Sequence, residues 1–573
     1  MSCVLNNFLA VWCEDQRHAA SIVERYAELK IDTVDRSGNG WWMGWQTVRK
    51  HPQLLSANAC DGLLVGEWDF RQRPPDWRAV SARLAAKDSG IARYEGDFSL
   101  AKLSDDGQFV ALNSIASRVP IFWWRGQGFT IVATLLEWVA ALLPQPPVVD
   151  RLPLMLWGTG NPEFLSGRTV IEGVRALNRA EITAVGDQVY TRDLGMDFIA
   201  TDAGGPAGVA EVPGCLREEV MATMRQPEGQ QMPDLLTLSG GQDSSLLALI
   251  ECSMRNRFET FSLLPAFEPA RTAELSRISS LFGGGRGGPS RRHAIALNDS
   301  MQAINLRRGL PPRIFPVIHP ALCWLESMNH RLSYSRWVGG EFCDEILGGA
   351  QCTWEWCAEA SIPEIIRELP LQTTKGRVGY TDIMKLIVHL RLGSRFRYRR
   401  KRLPGFAADD LKREFRDIRR HQQQQHRSAR PSRFDLMIRD WREGIAPTID
   451  MNWHLLSPMG VERVYPYATR RIFQLLASVR AAQLIMPEPK SLVVQGFSEY
   501  YPQDLWRRPS KSGWGQGMAF GDTRDPPDRL PFQLSNGASL STKCGRQDRY
   551  AYHLLLAVAG RIESAIGQPV TSM

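Results

Sequence analysis

Residues 237–250 read TLSGGQDSSLLALI, and this stretch constrains the fold more than any other. The apolar run PDLLTL before it has the length and composition of a short buried strand. The glycine-rich turn breaks that strand, and SSLLALIECSM continues with apolar residues at helical spacing. A strand, a glycine turn and a helix in that order point backbone N–H groups and a helix N-terminus at one spot, which suits phosphate. Asp243 adds a negative charge there, which fits if Mg²⁺ lies between the carboxylate and the phosphates. The lysine of a Walker-type loop is missing. The bland alternative is a serine- and aspartate-capped turn with no ligand. The candidate nucleotide-binding residues are Ser239, Gly240, Gly241, Gln242, Asp243, Ser244 and Ser245.

Beyond this loop, strand and helix patterns alternate, which predicts a parallel sheet flanked by helices. FETFSLL and HAIAL read as strands, EPARTAELSRISSLFGGG as a helix ended by glycines, and PPRIFPVIHPALCWLESM as a helix entered through prolines. SRWVGGEFCDEILGG runs strand, turn, acid cluster, glycines. Ligands of such sheets bind at the C-terminal ends of the strands, where both Ser239–Ser245 and Gly340–Gly349 would fall. Toward the C-terminus, LWRRPSKSGWG carries Arg508, Lys511 and Trp514, and MPEPKSLVVQGF carries Lys490.

The loop resembles the pyrophosphate loop of ATP pyrophosphatases, and most closely that of asparagine synthetases. GGEFCDEILGG resembles that family's acid motif at Gly340, Glu341, Asp344, Glu345, Gly348 and Gly349, with Phe342 in place of a glycine and Cys343 in place of a small residue. The resemblance implies that Asp344 joins Asp243 in holding Mg²⁺, that Glu341 faces the acyl-adenylate, and that Lys511, or less specifically Lys490, supplies the lysine. GVERVYPYATRRIFQLLASV resembles the segment before the lysine helix, with Thr469 near a usual aspartate.

The N-terminal part reads as short strands: YEGDFSLAKL, QFVALNSI, VPIFWW and FTIVAT, separated by turns such as DDG and RGQG. That order resembles the class II glutamine amidotransferase domain of the same family. It implies an antiparallel β-sandwich (αββα) over 1–205, followed by a parallel-sheet α/β ATP-pyrophosphatase synthetase domain over 206–573, for an α/β chain overall. DAGGPAG, 202–208, reads as the linker. The amidotransferase chemistry needs a cysteine directly after the initiator methionine, so that the free α-amine serves as its base. Here Ser2 occupies that place and Cys3 follows, while VGEWDF and RSGNGWW only partly match the substrate-binding stretches. The expectation is a retained scaffold without glutaminase activity, the nitrogen nucleophile coming from the substrate.

Composition narrows the remaining classes. The 573 residues imply at least two domains. The longest apolar stretch, FTIVATLLEWVAALL, is interrupted by Glu137 and suits a strand and helix better than a membrane span. No signal peptide is visible, and the ten scattered cysteines suggest free thiols in a reducing cytoplasm. The net charge of +8 is concentrated in 391–433, where fifteen Lys/Arg against four Asp/Glu give +11. That basic insertion is either a solvated helical face or a dock for an acidic peptide. With Phe396 and Tyr398 as the aromatics of its basic core, it is a poor nucleic-acid platform, and neither nucleic acid nor membrane is expected as a partner.

The loss of the N-terminal cysteine and the diverged motifs most resemble lasso-peptide cyclases. The resemblance implies an ATP- and Mg²⁺-dependent macrolactam synthetase acting on a ribosomally made precursor or core peptide, alongside a leader peptidase and a leader-recognition protein. Such an enzyme adenylates an Asp or Glu side chain and joins it to the peptide's N-terminal amine. A small-molecule amide or β-lactam synthetase of the same family is the alternative, with the same ATP chemistry. A scaffold that binds ATP without turnover fits the complete loop and both aspartates less well.

Overall fold

A computed structural model describes residues 2–14, 33–49 apart from 38–40, 62–158 apart from 71–74 and 127, 165–200 apart from 166, 209–265 apart from 228, 229, 231, 240 and 255, 289–297, 313–316, 334–367 apart from 349 and 362, 407–500 apart from 426–431 and 486–489, and 558–567, with residues 29, 31, 403 and 555 besides. Eleven strands form the N-terminal sheet: β1 (Ser2–Cys13), β2 (Thr33–Ser37), β3 (Trp41–Arg49), β4 (Leu63–Phe70), β5 (Phe98–Leu103), β6 (Phe109–Asn113), β7 (Phe122–Gly126), β8 (Phe129–Ala133), β9 (Arg175–Ala176), β10 (Glu181–Val185) and β11 (Val189–Asp193). Every pairing between these strands is antiparallel.

The sequence suggests a sandwich of sheets; the hydrogen bonding is one continuous sheet that branches at β1. This strand pairs with β4 over Ser2–Leu5, then with β8 over Leu9–Cys13, and with β3 over Leu5–Trp12. A long strand that changes partners along its length folds a sheet back over itself. The period-2 alternation of strand side chains shows the layers that result. Leu5, Leu9 and Val11 of β1 join Ile131 and Ala133 of β8 in a core shared with helix α2 (Leu136–Leu142). Leu63 and Val65 of β4 and Leu100 of β5 pack with helix α1 (Trp77–Ala85). The opposite faces, with Phe8, Ala10, Leu64, Ala101, Ala111 and Val132, make a third core between the two halves of the sheet. The two helices thus cover the faces of the curled sheet that turn away from this third core.

The second sheet is parallel, with β12 (Asp234–Thr237), β13 (Phe258–Pro265), β14 (Arg292–Leu297), β15 (Arg336–Val338) and β16 (Glu462–Val464) in the order β14-β13-β12-β15-β16. Four of these fall in the predicted strands; β16 was not anticipated as one. The helices used below are α3 (Val212–Met224), α4 (Gln242–Ser253), α5 (Cys343–Leu347), α6 (Asp409–Gln425), α7 (Ala446–Leu456), α8 (Arg470–Ala477) and α9 (Ser491–Gly496). The predicted linker 202–208 and the predicted helix over 268–285 lie outside the described residues.

Buried polar contacts tie the two sheets together. Arg118, between β6 and β7, donates to Glu67 of β4 and to Glu462 of β16, each at 2.6 Å. Asn7 of β1 accepts from Trp453 of α7 at 3.0 Å and from Ser457 at 3.1 Å. Arg470 of α8 donates to the carbonyls of Ala92, Tyr94 and Phe198. Charged groups so buried are tolerated because each has a partner. Among the described residues no helix is long and apolar enough to cross a membrane.

Candidate functional site

The chain runs from β12 outward to β13 and β14, then returns to the other side of β12 as β15. Doubly wound sheets bind ligands at such a reversal of strand order, here at the carboxyl ends of β12 and β15. Both sequence motifs meet there. After β12 the chain turns through Leu238–Gly241 and enters α4, with Gly241 as the N-cap. The loop's hydroxyls are held inside it: Ser239 and Ser244 share a hydrogen bond of 2.9 Å, and Ser245 donates to the Gly241 carbonyl at 2.7 Å. Asp243 lies in the first turn of α4, where the helix dipole favours a carboxylate. Tyr467 donates its hydroxyl to the Asp243 carbonyl at 3.3 Å.

Gly340 follows β15 and packs against this helix start. A Cβ there would lie 2.9 Å from the Ser244 nitrogen and 3.2 Å from the Asp243 carbonyl carbon, so the close approach of the two motifs needs glycine. Phe342 then takes a left-handed backbone, with φ of 72°, and leads into α5, which carries Asp344. The Phe342 ring packs on Trp441 and Tyr465 at centroid distances of 5.5 and 5.1 Å.

Lys490 brings the two aspartates together. Its Nζ is paired with Asp243 Oδ1 and lies 2.6 Å from Asp344 Oδ1. The lysine is 3% exposed, and its backbone is left-handed at φ 61° just ahead of α9. Gly348 makes room for it: a Cβ there would sit 2.3 Å from the Lys490 nitrogen. Burial works against a charged ammonium, but the neighbouring Cys343, Asp243 and Asp344 more than offset it and hold the lysine above its ordinary range. Burial, and then the Asp243 charge, push the Cys343 thiol well above its usual range, so it is neutral near pH 7. The two carboxylates are therefore the charges that hold Lys490.

Glu341 takes a different partner. It forms an ion pair with Arg463 of β16, and the pair lies over Gly339, where a Cβ would be 1.8 Å from Glu341 Oε2. The Arg463 guanidinium stacks on Trp337, 4.0 Å from the ring centroid, and donates to the Trp337 carbonyl at 3.3 Å. Glu341 Oε2 and Arg463 Nε are buried without a hydrogen-bond partner. Arg463 was not anticipated; it belongs to a short strand that no local pattern marks. Lys490 was the less specific of the two lysine candidates. Arg508, Lys511 and Trp514 lie outside the described residues, as do Gly240 and Gly349. Thr469 caps α8, accepting from Ile472 at 3.4 Å, and pairs with the buried Glu219 of α3.

Asp243 and Asp344 offer the hard oxygen donors that Mg²⁺ requires, and they converge on one cationic point. Among the described residues no group of three or more His, Cys, Asp and Glu is placed to hold a metal ion, so phosphate or water oxygens would have to complete the shell. The donor set fits a cation shared with a phosphate ligand.

No family model matches the chain, and no curated protein matches it. Among solved structures, a glutamine phosphoribosylpyrophosphate amidotransferase from B. subtilis, complexed with ADP and GMP, is similar over 54% of this chain and 83% of its own, with 8% identity and a TM-score of 0.20. An allosteric regulatory enzyme of purine biosynthesis is similar over 54% of this chain and 61% of its own, with 7% identity and a TM-score of 0.15.

Proposed function

We propose that the chain is an ATP-dependent, AMP-forming ligase that makes an amide bond. The observation that carries this reading is the convergence of Asp243, Asp344 and Lys490 at the strand-order switch of a parallel sheet. Two aspartates and a lysine at the end of a strand–glycine turn–helix unit suit a nucleotide's phosphates. In this reading the Ser239–Ser245 loop receives the phosphates, and Asp243 and Asp344 would hold Mg²⁺. When bound, the cation would neutralise charge on the pyrophosphate leaving group. A substrate carboxylate oxygen attacks the α-phosphorus of ATP and pyrophosphate departs. An amine then attacks the acyl carbon, AMP departs, and the amine's proton passes to a base. Glu341 stands beside this site as the candidate proton acceptor or electrostatic contact. A lysine ammonium balances the charge that builds on the phosphate and carbonyl oxygens. The placement of Lys490 supports that role for it, and the family resemblance supports Lys511.

The finer reading is a lasso-peptide macrolactam synthetase, in which the acid is an Asp or Glu side chain of a core peptide and the amine is that peptide's own N-terminus. The diverged acid motif and the basic segment 391–433 support it, α6 showing Arg413, Arg416 and Arg420 exposed; an acidic precursor, or the leader peptidase and leader-recognition protein, would dock on that segment. The test incubates the full chain with Mg-ATP, a precursor peptide and its leader peptidase, and follows peptide mass and AMP. Loss of one water with AMP release supports the peptide reading. AMP release driven only by amino-acid-sized acids moves the substrate to a small molecule. Undiminished AMP release by both Asp243→Asn and Asp344→Asn would sink the site assignment.

A further inference from the structure

Lys490 raises a question that its catalytic role does not answer. Its ammonium already sits at the point where the Asp243 and Asp344 carboxylates converge. The lysine backbone is held in place by hydrogen bonds and packing. Its N–H donates to the Leu484 carbonyl at 3.0 Å, its carbonyl accepts from Val494 at 2.9 Å, and Gly348 packs against its nitrogen. The side chain is the part that can leave. An ammonium and a divalent cation cannot share the same two carboxylate oxygens, because like charges at ion-contact distance repel strongly in a buried site.

We infer that Lys490 is a placeholder: its ammonium occupies the seat of the divalent cation until a polyphosphate arrives, and then yields it. The inference rests on reading Asp243 and Asp344 as cation ligands. With Lys490 seated, the buried Asp243 carboxylate and the partly exposed Asp344 carboxylate are partly neutralised, and the folded chain tolerates them without a metal. A free divalent cation must evict the ammonium with no new anion to receive it, and so binds weakly. A cation delivered on a nucleoside triphosphate brings phosphate oxygens that accept the displaced ammonium. The exchange therefore couples cation binding to nucleotide binding and keeps the site from filling with metal alone.

The probe is Mn²⁺ alone, titrated into the full chain without nucleotide and followed by the paramagnetic resonance signal of the free ion. Lys490→Met should bind Mn²⁺ at least tenfold more tightly than the wild type, and adding Asp243→Asn to that variant should abolish the gain. Equal affinity in the wild type and Lys490→Met overturns the exchange while leaving the cation site in place. No Mn²⁺ bound by either, with or without ATP, overturns the cation reading and the exchange with it. Should Lys490→Met fail to fold, amine acetylation of the wild type answers the same question. Lys490 labelling, read by peptide mass spectrometry, should rise as Mn²⁺ is added, and protection unchanged through Mn²⁺ saturation overturns the exchange.

Discussion

Phe342 holds a backbone conformation that glycine would hold without strain, and this sets up an inverted order of substitution effects. Its φ is 72°, it is 7% exposed, and its carbonyl accepts the Ile346 N–H at 3.0 Å to start α5. A left-handed backbone costs an L-residue roughly 1–2 kcal/mol. The ring offsets this through its contacts with Trp441 and Tyr465. Phe342→Ala removes the ring and keeps the strained backbone, so the whole cost of a buried Phe→Ala change applies, roughly 3–5 kcal/mol. Phe342→Gly loses the same ring but relieves the backbone, against an extra entropy loss of roughly 0.5–1 kcal/mol. The glycine variant should therefore be the more stable of the two by up to about 1.5 kcal/mol. At an ordinary helical position glycine would be the less stable by about 1 kcal/mol. Urea unfolding followed by circular dichroism compares the midpoints of the three proteins. An alanine variant as stable as the glycine variant, or more so, refutes the strain argument; a wild-type midpoint in either variant refutes the packing argument.

Three further outcomes follow from buried contacts. Arg118→Met takes the guanidinium from Glu67, which is fully buried, and from Glu462; the cost should be roughly 3 kcal/mol, the low end for a broken buried pair, because Glu67 keeps the Arg118 N–H at 2.6 Å. An unchanged thermal midpoint would show that this bridge does not couple the two sheets. Gly348→Ala pushes a methyl group toward the Lys490 nitrogen at a φ of 145° and should lower the melting temperature and displace Lys490; a melting curve matching the wild type counts against the close approach. Glu251 is fully buried beside Asp234 and Arg336, and burial first, then the Asp234 charge, raises its carboxyl to about 8. The folded chain then holds a proton that the unfolded chain releases near pH 4.5, so stability falls as pH rises from about 4.5 to about 8 and levels off above. Glu251→Gln should flatten that fall by a few kcal/mol and leave the smaller contribution of Glu355, which burial raises to about 7 despite Arg433. Parallel pH–stability curves for the two proteins would count against the buried proton.

The features legible in the sequence are those written in short-range patterns. The run PDLLTL, its glycine break and the apolar helical spacing after it specify β12, the turn and α4, because strand length, glycine backbone freedom and a 3.6-residue period are local properties. The short apolar runs in QFVALNSI and FTIVAT, bounded by turn residues, likewise specify β6 and β8. Gly340 was legible as a motif residue, but its reason, the close approach of the Ser244 nitrogen, belongs to the packing. What local pattern does not carry is the pairing of distant charges. Lys490 meets Asp243 across 247 residues, and Arg463 meets Glu341 across 122. Those meetings exist because the parallel sheet reverses its strand order, bringing β15 and β16 to the far side of β12. The branching of β1 is also a matter of tertiary structure, since a strand's period says which face a side chain takes but not which neighbours its two edges bond. The sequence by itself marked the segments whose local pattern is strong, β6, β8, β12 to β15 and α4 among them, and the acidic residues that follow β12 and β15. Only the tertiary structure decided which lysine sits between the aspartates, because a buried ion pair is set by three-dimensional proximity and low dielectric, and neither is a property of neighbouring residues along the chain.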